Sequence, residues 1–485
     1  MTKTSSGAGY GARIEQICLM ICAISAVVLV TPQRVTAATP PIALGLNTAA
    51  WDGEYTGSGV AKVDGYLTQA RIGLLRYPGG SWADLYDWNR NTDIQGCLNP
   101  GGGNTCPESD AIDFDTFSQD AAQAGAAMFV SVNYGSGTPA LAAAWVTHAR
   151  TTPGERVALW EVGNEGYGCW EDNNWLAGFP AYVQVYTPNG PICPDTQVMA
   201  GSYAANALPF LLAMKHADPT ARIGVPWAFE PSEAAGAGVV NSSQWNDTVL
   251  GEDGAHVDFV DAHWYPFSDV SGLTDSQILA SITRIPAAMQ RIRATLRQHD
   301  LEAVVVVGET NISNQPTTLA FQPVAALFAA GTALAWLSQG ALSVDWWDMN
   351  NYGSPQSGDY GMFSSITPAP PNSPLPAYYG YWLASRLTRP SAFVSTLETG
   401  SDAVLGFESG RADRSHAILL INTNASQSET VHIDEFRAAG LLQTWIYSAV
   451  SAASSNPIAQ GTTSAQQLRD GLMLAPESIV VIGTD

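Results

Sequence analysis

The feature that most constrains this chain is an order of segments. Eight short apolar runs, PIALGLN, IGLLRYP, AMFVSVNYG, VALWEVGNE, ARIGVPW, VDFVDAHWYP, AVVVVGETN and LSVDWWDMN, follow one another along the first three quarters of the sequence. Between them lie longer segments such as FDTFSQDAAQAGA, PALAAAWVTHAR, ALPFLLAMKHA, DSQILASITRIPAAMQRIRATLRQH and TLAFQPVAALFAAGTALAWLSQG, whose apolar positions recur at helical spacing. Continuous apolar strands alternating with helices indicate a parallel sheet covered by helices. Eight such units favour an α/β fold of the closed (β/α)8 type, a TIM barrel, over an open doubly wound sheet. No GxGxxG follows the first strand, so the main signal for a dinucleotide fold is missing. From about Pro390 the pattern changes to short alternating runs, FVSTLE, AVLGFES, HAILLINT, TVHIDE, LQTWIYS and ESIVVIG, which read as a small C-terminal antiparallel β-sandwich.

The amino terminus reads differently. Lys3 and Arg13 precede the apolar run Ile17 to Val30, and small residues follow at Val35, Ala37 and Ala38. That order is expected of a secretory signal peptide, and the run of 14 residues falls short of the roughly 20 that span a bilayer. The expected organisation is therefore a signal peptide over 1–37, a catalytic barrel over 38–387 and a sandwich over 388–485, in a secreted, extracellular protein with no stable membrane association after cleavage. Cys97, Cys106, Cys169 and Cys193 remain after cleavage, an even number that suggests two disulfides in an exported protein. Pairing Cys97 with Cys106 and Cys169 with Cys193 closes the shortest loops, although four cysteines allow three connectivities. No CxxC or HxxxH pattern supports a metal site, and no cofactor is expected.

Without residues 1–37 the balance is 18 basic against 43 acidic residues, which makes nucleic acid an unfavourable partner. Charged residues are only 13 % of the chain, so much of the surface polarity falls to Ser, Thr, Asn, Gln and Gly. Such a surface suits acidic surroundings.

Barrel enzymes carry their chemistry at the carboxyl ends of the strands. Glu165 closes the fourth run just before Gly166, and Glu309 has the same placement at the end of the seventh. Glu161, four residues before Glu165, is expected to face the interior or a structural partner, and Glu171 to lie on the rim. Either mouth glutamate alone would more often be structural or merely solvated. Together, in an aromatic-rich mouth, they match the carboxylate pair that retaining glycoside hydrolysis needs about 5–5.5 Å apart.

With those motifs in view, the sequence resembles glycoside hydrolase clan A, most nearly the family 51 α-L-arabinofuranosidases. LWEVGNE is similar to the clan's strand-four motif, which implies Glu165 as acid/base and Asn164 as the group that binds the sugar 2-hydroxyl. VVVGETN is similar to the strand-seven motif and implies Glu309 as nucleophile. LLRYPGGSWADLYDW resembles the family's motif after strand two and implies that Arg76 orients the nucleophile. VSVNYGSGT and VDFVDAHWYP imply Asn133, His263 and Tyr265 near the sugar. The chain departs from the family at LGLNTAAWDG, which offers Asn47, Trp51 and Asp52 in place of an acidic sugar-binding residue; Asn47 joins the substrate-binding candidates. Of Trp346 and Trp347 on the eighth run, one is expected to face the mouth as a stacking platform; parity does not decide which, and Trp346 stands as the candidate.

The expected partner is a polysaccharide or oligosaccharide substrate, with the oligomeric state open. A retaining α-L-arabinofuranosidase is the leading expectation. Another clan-A glycosidase (a β-xylosidase, β-glucuronidase or endo-glycanase) and a non-catalytic carbohydrate-binding protein on the same barrel are the alternatives. The presence of both mouth carboxylates weighs against the last, and the absence of a GxSxG elbow against a serine esterase.

Overall fold

All eight apolar runs form strands, and they close into one parallel barrel. The computed structural model describes residues 43–93, 109–155, 157–175, 186–187, 190–191, 194–365, 370–390, 392–410, 416–434, 436, 440–452 and 457–484. The barrel strands are β1 (Leu44–Asn47), β2 (Leu74–Tyr77), β3 (Ala127–Val132), β4 (Val157–Val162), β5 (Ile223–Trp227), β6 (Phe259–Trp264), β7 (Val304–Thr310) and β8 (Val344–Trp346). Each pairs with its neighbours in chain order, and β8 pairs with β1 to close the ring. The main helices follow one per strand: α1 (Ser58–Gln69), α2 (Phe114–Ala124), α3 (Pro139–Thr151), α4 (Thr196–Ala217), α5 (Ser242–Asp253), α6 (Ile285–Gln298), α7 (Pro323–Ser338) and α8 (Pro376–Ala384). The expected signal peptide, Cys97, Cys106 and Cys193 lie outside the described residues.

Local chemistry sets the helix ends. Asp113 caps α2 by accepting from the Thr116 N–H, and Gly125 ends it at φ 80°. Thr138 caps α3 ahead of Pro139. The helical segment 275–298 is interrupted where the sequence suggested one continuous helix: a short helix at Asp275–Ala280 and a tight turn at Ser281–Arg284 precede α6, whose first turn holds Pro286. Proline lacks the N–H that a helix interior needs and is accommodated at a helix start.

The strands alternate between two environments. Leu75 and Tyr77, Trp160 and Val162, and Val260, Ala262 and Trp264 face the helices, whereas Leu74, Leu159, Phe259, Phe129 and Val306 pack together inside and plug one end of the barrel. Two residues further along the inward rows come Arg76, Glu161 and Asp261, all fully buried. The interior thus changes from apolar to charged toward the carboxyl ends. On β7 the alternation breaks. Asp261 pairs with Val306 but His263 pairs with Glu309, and on the other side Val307 pairs with Val344 but Thr310 with Trp346. An extra residue on β7 makes a bulge, which re-aims the side chain beyond it. Gly308 sits in it because a Cβ there would lie 2.2 Å from Asp261 Oδ2.

The C-terminal region is antiparallel. Strands β9 (Phe393–Thr396), β10 (Val404–Gly410), β11 (His416–Asn422), β13 (Leu441–Ser448), β14 (Ala459–Ser464) and β16 (Ser478–Gly483) form a sheet in the order β9-β10-β11-β16-β13-β14. A two-stranded ribbon of β12 (Glu429–Val431) and β15 (Leu472–Leu474) covers one face over Ile418, Leu420, Val480 and Ile482. The opposite face, with Leu419, Ile421, Tyr447 and Val481, joins the main core. Its seat is α7, in which every residue from Val324 to Leu337 is buried; a helix that is apolar all round needs cover on every side. Ile421 and Leu405 reach Gly331 of α7, Tyr447 stacks on Tyr379 with ring centroids 6.0 Å apart, and Arg386 lies 5.5 Å over the Trp445 ring.

A chain ending near Leu387 should therefore be insoluble or lose cooperative unfolding, because the outer face of α7 would meet water. Expression and thermal denaturation of that truncation check this; a soluble, cooperatively folding product would show the sheet to be dispensable.

Candidate active site

The mouth of the barrel is organised by one guanidinium. Arg76, on β2, is fully buried. Its Nη1 donates to Glu309 Oε1 at 2.6 Å and Asn47 Oδ1 at 3.0 Å, and its Nη2 to Asn164 Oδ1 at 2.8 Å and Glu161 Oε2 at 3.0 Å. Asp261 Oδ2 lies 3.9 Å from Nε. Burial alone would lower the arginine's pKa, but the charges of Glu161, Glu309 and Asp261 carry it above its ordinary value. Tyr265 donates to Glu309 Oε2 at 2.7 Å, so both oxygens of that carboxylate are held.

Glu165 is built by a different route. Strand β4 ends at Val162, and Gly163 at φ 78° and Glu165 at φ 40° turn the chain across the mouth. Asp84 fixes this turn by accepting from the backbone N–H of Asn164 at 3.1 Å while also accepting from Gly135 and Tyr134 on the neighbouring loop. Glu165 Oε2 accepts from Trp170 Nε1 at 2.6 Å, and Oε1 from Tyr167 at 3.1 Å. His263 Nδ1 lies 2.9 Å from Glu165 Oε1 and 3.5 Å from Glu309 Oε2, with Nε2 3.3 Å from Asp261 Oδ2. One carboxylate oxygen of Glu165 and one of Glu309 lie within 4.8 Å of each other, with this imidazole beside both.

The electrostatics follow from that packing. Burial tends to raise Glu165, but the hydrogen bond and charge of His263, with the Trp170 and Tyr167 hydrogen bonds, leave it below the usual carboxylate range. Burial tends to lower His263, yet the Glu309 charge and hydrogen bonds to Asp261 and Glu165 hold it well above its ordinary value. Each group thus favours the charged form of the other. Positive charge that a metal ion could bring to these carboxylates is already supplied by Arg76 and His263.

A cavity of about 390 Å³ opens above these groups, lined by Gly80, Ser81, Asn164, Glu165, Trp170, Gly236, Tyr265, Glu309, Asn314, Gln315, Trp347 and Tyr360. The sequence expectations sort against it. Asn164, Glu165, Tyr265 and Glu309 line it; Arg76, His263 and Asn47 stand behind them as supports. Asn47 holds the bulge, donating to Gly308 O at 2.7 Å. Asn133 is not brought to the cavity: its Oδ1 accepts from the N–H of Ser136 and Gly137, so it closes its own loop. Trp346 is corrected. It faces outward, 1 % exposed, against Phe328 and Tyr381, and Trp347 is the ring at the mouth. Strand alternation is the reason: Asp345 points into the barrel close to Gly45, so Trp346 points out and Trp347 in. Glu171 is corrected as well. It does not lie on the rim but is buried, accepting from Ser81 Oγ at 2.8 Å and Asn164 Nδ2 at 3.0 Å. Glu161 is interior as expected, bound to Arg76 and Ser131.

Asp261, Asp84, Tyr167 and Trp170 were not among the sequence candidates. Asp261 had a legible signal, standing two residues before His263 and hence on the same face of the strand. Tyr167 and Trp170 had none, because their approach to Glu165 depends on a loop path.

Two outcomes are expected. Trp347→Ala should weaken substrate binding with little change in melting temperature, whereas Trp346→Ala should cost about 3–5 kcal/mol of stability; denaturant titration beside steady-state kinetics separates them. Stability should also fall as pH rises. Burial pushes Asp84 and Asp52 up to about 7, so the folded chain holds protons there that the unfolded chain releases at lower pH. Their contribution is present at low pH and is lost as pH climbs toward these values. His263, raised when folded, acts in the same direction; Glu165, lowered, costs stability only as pH falls below the ordinary carboxylate range. Melting temperatures should peak near about pH 5 and decline toward about pH 8; a maximum above neutrality would contradict this.

No family model matches the sequence, and no curated protein matches it. Solved structures do. The α-L-arabinofuranosidase of Thermotoga maritima, in an arabinose complex, superposes with a TM-score of 0.64 at 17 % identity over 92 % of this chain and 97 % of that one. The family 51 α-L-arabinofuranosidase of Bifidobacterium longum gives 0.64 at 14 % identity over 92 % and 97 %. The family 44 endoglucanase of Clostridium thermocellum gives 0.59 at 12 % identity over the same shares. In its barrel with a C-terminal β-sandwich, the chain resembles in fold the clan-A glycoside hydrolases, family 51 α-L-arabinofuranosidases among them.

Proposed function

We propose that this protein is a secreted retaining glycoside hydrolase that releases α-L-arabinofuranose from oligosaccharides or polysaccharides, with Glu309 as nucleophile and Glu165 as acid/base. The observation that carries the reading is the approach of Glu165 and Glu309 to within 4.8 Å at the floor of one cavity. An approach of one oxygen of each group to that range accords with the roughly 5–5.5 Å between the carboxyl groups of retaining enzymes.

In this reading Glu309 attacks the anomeric carbon while Glu165 protonates the leaving oxygen. Arg76 and Tyr265 hold both oxygens of Glu309 and fix its line of attack. The proton needed by Glu165 is stored 2.9 Å away on His263, and movement of that proton to Oε1 arms the acid. Once the glycosyl-enzyme has formed, Glu165 takes a proton from water, which attacks the intermediate and frees Glu309. Trp347 and Trp170 offer apolar faces to the sugar, and Asn164, held by Arg76 and Glu171, reaches for a hydroxyl.

Glu309→Ala should abolish turnover of every substrate. Glu165→Ala should cost roughly 10²–10⁴ on substrates with poor leaving groups and far less on an activated aryl arabinofuranoside. Azide should rescue the second variant and give a glycosyl azide of retained configuration; inversion would overturn the roles. A panel of aryl glycosides tests the sugar: cleavage of glucosides or xylosides without arabinofuranosides would place the activity elsewhere in the clan. His263→Gln should move the alkaline limb of kcat/KM to lower pH, because the proton would rest on a carboxyl group alone.

A further inference from the structure

Away from the mouth, three side chains from separate segments converge on the flank of the barrel. Asp115 stands in the first turn of α2, His148 in the last turn of α3, and Glu155 in the connection from α3 to β4. One donor atom from each lies within 4.8 Å of the other two. His148 Nε2 is 2.7 Å from Asp115 Oδ1 and 3.6 Å from Glu155 Oε1, so the Glu155 carboxylate faces the cluster. The Glu155 side chain is 4 % exposed, and its Oε2 is buried without a hydrogen-bond partner. Burial, with the charge and hydrogen bond of neighbouring Asp115, raises the Glu155 carboxyl to about 7, so a proton relieves this crowding, and a cation that displaced the proton would do the same.

We propose that Asp115, His148 and Glu155 form a binding site for one divalent transition-metal cation of the Zn²⁺ class, which ties α2 to the connection between α3 and β4. The donor set selects the metal. One imidazole nitrogen with two carboxylates suits zinc, which takes nitrogen at about 2.0–2.1 Å and carboxylate oxygen at about 2.0–2.2 Å; calcium takes oxygen ligands alone. The imidazole is oriented before any ion arrives, with the Trp88 ring 5.1 Å and the Phe114 ring 6.2 Å from it. Entry is open, since Asp115 is exposed and both it and His148 border a cavity of about 350 Å³ where water can complete a fourth position. Arg90, on the same cavity, pairs with Asp87 at 3.6 Å.

The site is independent of the glycosidase reading, and so is its test. Tag-free, chelator-stripped full-length protein is titrated calorimetrically with Zn²⁺, with Ca²⁺ as control, and its melting temperature is followed. One Zn²⁺ per chain should bind in preference to Ca²⁺, and saturation should raise the melting temperature by about 2–4 °C. His148→Ala and Asp115→Asn should each weaken Zn²⁺ binding at least about tenfold and abolish the rise. Asp115 is exposed, so Asp115→Asn decides the matter if His148→Ala does not fold. Failure of the wild type to bind Zn²⁺, or binding unchanged in Asp115→Asn, would overturn the proposal; the second result would place the metal elsewhere, for instance at the carboxylates of the mouth.

Discussion

A fully buried arginine is stable only in the company of enough negative charge, and the upper half of this barrel is arranged around that requirement. Arg76 draws Glu161 from β4, Asp261 from β6 and Glu309 from β7 to one place, and hydrogen-bonds Asn47 and Asn164 as well. Removing one member of such a set leaves the others buried and uncompensated, at about 3–5 kcal/mol. The cluster is therefore both a structural keystone and the reason that the mouth carboxylates sit where they do. His263 extends it, since its two ring nitrogens face Asp261 on one side and Glu165 on the other.

Two devices bring residues to this centre that regular strands would not deliver. On β7, the bulge at Val306–Glu309 changes the face on which Glu309 emerges. After β4, the left-handed backbone at Gly163 and Glu165, fixed by Asp84, bends the chain back so that Asn164 reaches Arg76 and Glu165 reaches His263. Strained or irregular backbone of this kind persists only where surrounding contacts determine it. Here those contacts are the Asp84 hydrogen bonds to two loops and the Asn47 hydrogen bond to the Gly308 carbonyl.

The outer shell solves a different problem. Helix α7 carries almost no polar residue, and the barrel covers only part of it. The C-terminal sheet covers the rest through Leu405 and Ile421, while its other face is closed by the β12–β15 ribbon. Both faces of the sheet are thereby apolar, so HAILLIN, grouped from the sequence with the alternating runs, is instead buried along nearly its whole length.

The sequence by itself determined the architecture. Eight apolar runs separated by helix-length segments can bury their surfaces in few ways, and each run became a barrel strand. Strand-end placement also picked out Glu165 and Glu309, but which of Trp346 and Trp347 faces the mouth followed only from Asp345 lying inward against Gly45. Only the tertiary structure decided the rest. Asn133 looked like a mouth residue because it ends a strand, but its amide is consumed by its own loop. Glu171 looked like rim because it lies in a loop, but Ser81 and Asn164 draw it inside. Trp170 and Tyr167 hold Glu165 through a path that no periodicity records. The physical reason is the same throughout: periodicity encodes which face of an element is buried, whereas bulges, left-handed turns and hydrogen bonds between residues distant in the chain determine which side chains meet.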